Sequence, residues 1–108
     1  MSGPEPKKEE PIFTEKSAVI QLLAGKTVKV RGIGNSMTPI LKSGDVCTVR
    51  PIKKDDVLKK GDIVLCKVKG NVYMHIIKGL NPKKGLYLIG NNHGRINGWT
   101  SLVYGIVE

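Results

Sequence analysis

The sequence predicts a mostly-β fold: a single domain of about six short strands in a coiled sheet or partial barrel, led by one short N-terminal helix. Three observations carry that expectation. The apolar pattern switches from helical spacing to a period of two after Lys26. Alternating runs then recur at intervals of about 8–15 residues. Between them, glycine and asparagine mark turns, with 13 glycines in 108 residues. The length suits one domain with one modest core.

Met1–Ile12 carries Pro4, Pro6 and Pro11 with mixed charge, and residues 1–13 are expected to form a flexible arm ahead of a domain spanning 14–108. Thr14 can cap a helix over Ser17–Leu23, with Glu15 in its first turn and Gly25 just past its end. Val19, Leu22 and Leu23 fall on one stripe of that helix. Thr27–Ile33 and Asp45–Ile52 read as the first two strands. Asp62–Lys69 and Val72–Lys78 follow, joined as a hairpin through Gly70-Asn71. Gly85–Gly90 and Ser101–Val107 complete the set. Gly90–Trp99, rich in Asn and Gly, reads as a tight loop that needs positive φ.

Composition excludes several classes. Forty per cent apolar residues and only Cys47 and Cys66 rule out a disordered chain and a disulfide scaffold. No run approaches the roughly 18 apolar residues of a membrane span. The start lacks the apolar core of a secretory signal, so a cytoplasmic location is expected. Net charge is +9, divided into −1 over residues 1–17 and +10 over 18–108. That surplus suits solubility and could also attract nucleic acid. The only dense basic cluster is Lys53, Lys54, Lys59 and Lys60, and the few aromatics form no stacking run. Cys47 and Cys66 lie 19 residues apart inside alternating strands, so core thiols are expected rather than a zinc site with His75 and His93. No metal or other cofactor is expected.

The chemistry concentrates in Gly34-Asn35-Ser36-Met37-Thr38-Pro39, followed by Gly44-Asp45 and Gly61-Asp62. A serine between a glycine-containing strand end and a proline-bearing turn displays its hydroxyl and keeps its backbone N–H free. An acyl-transfer nucleophile needs both. Further on stand His75 in its strand, the Gly90-Asn91-Asn92 loop and the closing Tyr104-Gly105-Ile106-Val107. In this order and spacing, across residues 26–108, the set resembles the serine peptidase clan of LexA-type self-cleaving repressors and type I signal peptidases.

The resemblance implies that Ser36 is the nucleophile, its N–H an oxyanion donor, and that a general base lies on the strand after the second Gly-Asp pair. LexA-like and bacterial signal peptidase members place lysine there; endoplasmic-reticulum, archaeal and sporulation-type signal peptidases place histidine. Here the position is His75, 39 residues after Ser36. An imidazole, with its ordinary pKa of about 6.5, is a ready base at neutral pH. Lys78 is the fallback base, at an odd offset that points it to the opposite strand face. Met37 and Pro39 are implied as substrate-wall residues. Histidine-type relatives supply an aspartate from the loop that here runs Gly90–Asn97 without any carboxylate, leaving Asn91 or Asn97 to orient His75. Asp45 and Asp62 read as turn caps.

The expected partner is therefore a peptide or protein substrate bound in extended form. The alternative is a catalytically weak relative that serves as a basic binding module for nucleic acid, protein or peptide. Self-cleavage at Ala24-Gly25 is disfavoured, because only 11 residues separate Gly25 from Ser36.

Overall fold

The computed structural model describes residues 10–108. Eight strands form one open sheet: β1 (Ile12–Thr14), β2 (Val28–Arg31), β3 (Val46–Pro51), β4 (Ile63–Val68), β5 (Asn71–Asn81), β6 (Leu86–Gly90), β7 (Ile96–Thr100) and β8 (Val103–Val107). Their spatial order is β1-β2-β3-β8-β4-β5-β6-β7, so β1 and β7 are the edges. The one helix among the described residues, α1 (Glu15–Leu23), links β1 to its parallel neighbour β2. All other pairings are antiparallel.

The mostly-β expectation holds, with two more strands than the six expected. Strand β1 begins inside the segment 1–13 expected as an arm, where Ile12 and Phe13 pair with Lys29 and Val30. Residues 1–9 of that segment lie outside the described residues. Strand β7 falls in the stretch expected as loop. Neither was visible in the alternation pattern, since β1 has three residues and β7 reads Ile-Asn-Gly-Trp-Thr.

Helix α1 starts as expected. Thr14 accepts from the Ser17 N–H at 3.1 Å, and Ser17 Oγ in turn serves the Thr14 backbone N–H at 3.0 Å, a reciprocal cap. The buried face differs from the expected stripe: Ala18 and Leu22 are inside, Val19 is partly covered, and Leu23 is 70% exposed. The (i, i+4) pair Ala18 and Leu22 faces the sheet, and this rotates Leu23 away from it.

Two core clusters sit on the two faces of the central strands. Ala18 and Leu22 pack with Val28, Val30, Val49, Leu65 and Met74. On the other face, Val64, Cys66 and Val68 meet Leu58, Ile77 and Ile89. Strand β4 thus alternates into both clusters and is buried on both sides, as a central strand must be. Cys66 belongs to the second cluster, where burial pushes its thiol up to about 12, and Cys47 packs against the first.

The β4–β5 hairpin turns on Lys69 (φ 49°) and Gly70 (φ 84°), one residue earlier than expected, with Val68 opposite Asn71. Two successive positive φ angles are the geometry of a tight turn that matches strand twist. Strand β5 runs on past the expected end at Lys78 to Asn81, through an irregularity between Ile77 and Gly79.

Candidate active site

Ser36 sits in the connection between β2 and β3. Gly32 N donates to Asp45 O and Gly44 N to Gly32 O, both within 3.0 Å, so the sheet pairing continues one residue past Arg31. Gly34 then takes φ 84°, a value that a residue with a Cβ would adopt only with strain, and turns the chain out of the sheet. Thr38 closes the turn, with its N–H 3.2 Å and its Oγ1 2.9 Å from Asn35 O. Ser36 is left half-buried, and no acceptor among the described residues takes up its backbone N–H. Asp45 and Asp62 do cap turns, accepting from the Lys42 and Lys59 N–H groups at 2.8 and 2.9 Å.

His75 comes from β5, opposite Val64 of β4, and is 7% exposed. Its Nε2 lies 3.0 Å from Ser36 Oγ, across 39 residues of sequence. Its Nδ1 lies 2.8 Å from Asn97 Oδ1, carried by β7. An amide oxygen only accepts, so Nδ1 holds the proton and Nε2 presents its lone pair to the serine hydroxyl. Tyr73, two residues earlier on the same strand face, stacks on the imidazole with centroids 4.8 Å apart and planes at 22°. Burial pushes the His75 pKa below its ordinary value, and the bond to Asn97 partly opposes that. The neutral imidazole is therefore the favoured form.

Ser36, His75 and Asn97 line a recess of about 360 Å³ with Asn91, Arg95 and Glu15 among the other lining residues. It runs into a larger concavity past Ile33, Val72 and Tyr73. A second, small hollow of about 20 Å³ also touches Ser36 and is bounded by Gly32, Gly34, Met37, Leu41 and Met74.

Of the residues singled out from the sequence, Ser36, His75 and Asn97 are brought together. Asn91 lines the same recess, but its Oδ1 accepts from the His93 and Arg95 N–H groups at 2.8 and 2.9 Å, shaping its own loop rather than His75. Met37 is buried against the small hollow, whereas Pro39 is exposed and lines neither concavity. Lys78 lies at the strand irregularity, outside the recess lining, with its Cγ beside Gly90.

Two residues that the sequence reading named only in other connections, Asn92 in the motif loop and His93 as a rejected zinc ligand, touch the Ser36 turn. Asn92 donates its backbone N–H to Ser36 O at 2.9 Å and its Nδ2 to Thr38 O at 2.8 Å. His93 Nε2 lies 3.0 Å from Asn35 O and 2.9 Å from Thr38 Oγ1. These contacts span more than 50 residues of sequence, so the loop motif marks the residues but not their partners.

The match to a family model places this mostly-β chain, with its serine hydroxyl set against an imidazole in a cleft, in the serine peptidase class of the LexA and signal peptidase type. The family model described as Peptidase S24-like matches residues 5–96, and the chain belongs to that family. Ser36 and His75 lie within the match, and Asn97 follows its last residue. No curated protein matches the chain.

Proposed function

We propose that the protein is a serine endopeptidase with Ser36 as nucleophile, His75 as general base and Asn97 as the group that orients the base. The observation that carries this reading is the continuous line Ser36 Oγ–His75 Nε2 at 3.0 Å and His75 Nδ1–Asn97 Oδ1 at 2.8 Å. In the acylation step Ser36 Oγ attacks the scissile carbonyl carbon while its proton passes to His75 Nε2. The carbonyl oxygen becomes an oxyanion, and the uncommitted Ser36 N–H is its donor. His75 then returns the proton to the leaving amine as the C–N bond breaks, and a water attacks the acyl-enzyme by the same route.

The hollow beside Ser36, with room for only about 20 Å³, supports a small substrate side chain at the cleaved bond. The longer concavity past Ile33 and Tyr73 supports an extended peptide. Cleavage in trans is favoured over self-cleavage at Ala24-Gly25. Glu15, at the start of α1, lines the recess, and a nine-residue helix, about 13 Å long, stands between it and Ala24. That bond is also tied into the helix cap by Gly25 N to Leu22 O and Lys26 N to Gln21 O.

The test is a peptide library at neutral pH, with fluorophosphonate labelling, on wild type and Ser36→Ala. Cleavage and labelling by wild type alone are expected; equal behaviour of the two proteins would overturn the assignment. A second reading, a binding module with weak catalysis, is favoured by one observation: the group on His75 Nδ1 is an amide rather than a carboxylate. Wild type that binds extended peptides without turnover would support it.

A further inference from the structure

The Ser36 turn is held from outside by one loop, Asn91–Arg95 between β6 and β7, whose far end leads into Asn97. Two residues of that loop make the contacts. Asn92 grips the turn at Ser36 O and Thr38 O, so its bonds bracket Met37. His93 reaches the residue before the nucleophile, at Asn35 O, and the residue two after it, at Thr38 Oγ1. The loop is itself stiffened from within, since Asn91 Oδ1 accepts two backbone N–H groups and Asn91 N donates to Arg95 O at 2.9 Å.

The hydrogen on His93 is fixed by its partner. Asn35 O is a carbonyl and only accepts, so the 3.0 Å contact requires a hydrogen on Nε2. Neutral His93 with the proton on Nε2 and doubly protonated His93 both supply it. His75 uses the same ring atom in the opposite sense, with a bare Nε2 facing Ser36. One histidine is therefore arranged to take a proton, and the other to hold a backbone carbonyl in either charge state.

We propose that His93 is a positioning residue: its Nε2–H clamps the Asn35–Thr38 turn to the same loop that feeds Asn97, so that one connection sets both the serine hydroxyl and the orientation of the imidazole. This inference rests on the serine peptidase reading for its kinetic consequence, and on geometry alone for its structural one. The reacting atoms need a separation near 3 Å, and a displacement of about 1 Å costs up to roughly 100-fold in rate. Because His93 is exposed, its side chain contributes little to the core. Removing it should release the turn without unfolding the sheet.

The experiment compares wild type with His93→Ala and His93→Gln, the latter keeping a side-chain N–H donor of similar reach. For His93→Ala, kcat and the rate of fluorophosphonate labelling of Ser36 should fall about 10- to 100-fold, with KM within about twofold. Amide hydrogen exchange of Thr38, whose N–H is bonded to Asn35 O, should quicken, while β4 and β5 keep their protection. His93→Gln should restore most of both. Unchanged kcat and labelling in an active His93→Ala protein would overturn the inference, as would loss of protection across the whole sheet. If wild type neither cleaves nor labels, the peptidase reading fails separately, and Thr38 exchange decides the clamp: quickening supports it and no change refutes it.

Discussion

In the proposed mechanism, the environment of His75 sets the working pH. Only its neutral form can accept the Ser36 proton, and burial already favours that form. The acid limb of kcat/KM should therefore lie below the ordinary imidazole value of about 6.5, with a plateau through neutral pH. A limb still rising through about pH 9 would overturn His75 as the base. Asn97 governs the other side of the ring. Its amide fixes the tautomer but offers no charge to the imidazolium that forms at the transition state. Asn97→Asp should raise kcat by about 10-fold or more, since a carboxylate would stabilise the imidazolium that the amide leaves without a countercharge, the tautomer being already correct. The same substitution should move the acid limb to higher pH, because a neighbouring anion favours protonated histidine. Asn97→Ala should do the reverse on both counts, as the bond it removes is the one that raises the His75 pKa. Stopped assays on the three proteins from about pH 5 to 9 separate these outcomes.

At the scale of elements, β8 is the strand that brings the two halves of the sheet together, lying between β3 and β4. Its middle residue is Gly105, over which α1 and β3 close tightly. A Cβ there would stand 2.7 Å from Val49 Cγ1, 2.8 Å from Arg50 O and 3.0 Å from Leu22 Cδ1. A backbone oxygen and a stiff β-branched side chain cannot step aside cheaply. Gly105→Ala should cost about 1–3 kcal/mol and lower Tm by several degrees, read by thermal and urea unfolding. This packing constraint was not legible in the sequence, where Tyr104-Gly105-Ile106-Val107 reads as a short closing strand and as one piece of the motif set. Local pattern did reveal the strands whose alternation meets a core on at least one face, namely β2 through β6 and β8. It missed β1 and β7, whose pairing depends on distant partners: Phe13 on Val30, and Trp99 on Leu88. The site divides the same way. Ser36 and His75 were legible from ordered motifs. The choice between Asn91 and Asn97 was not, because it turns on the register shift between Ile89 and Gly90 that sets where β7 delivers Asn97.

The whole molecule adds a field that no single residue supplies. Net charge is +9, and the charged side chains around the recess and its neighbouring concavities share that sign: Lys16, Arg31, Lys42 and Arg95 against Glu15 alone. Local and global potentials therefore act together on an approaching peptide. The dense cluster Lys53, Lys54, Lys59 and Lys60 lines none of these concavities, so it contributes at long range rather than by contact. Such a field raises the encounter rate of acidic ligands and is screened over about 10 Å at 0.1 M salt. Two peptides sharing one cleavable bond, one flanked by acidic residues and one by neutral residues, should then respond differently to ionic strength. Between about 20 and 200 mM salt, kcat/KM for the acidic peptide should fall severalfold while kcat stays level, because screening slows arrival and leaves the chemistry at Ser36 untouched. The neutral peptide should show little change. A flat response from both would mean that Glu15, the one acid lining the recess among the described residues, cancels the surrounding cations where the substrate enters. A rise with salt for the acidic peptide would reverse the sign assigned to the entry path.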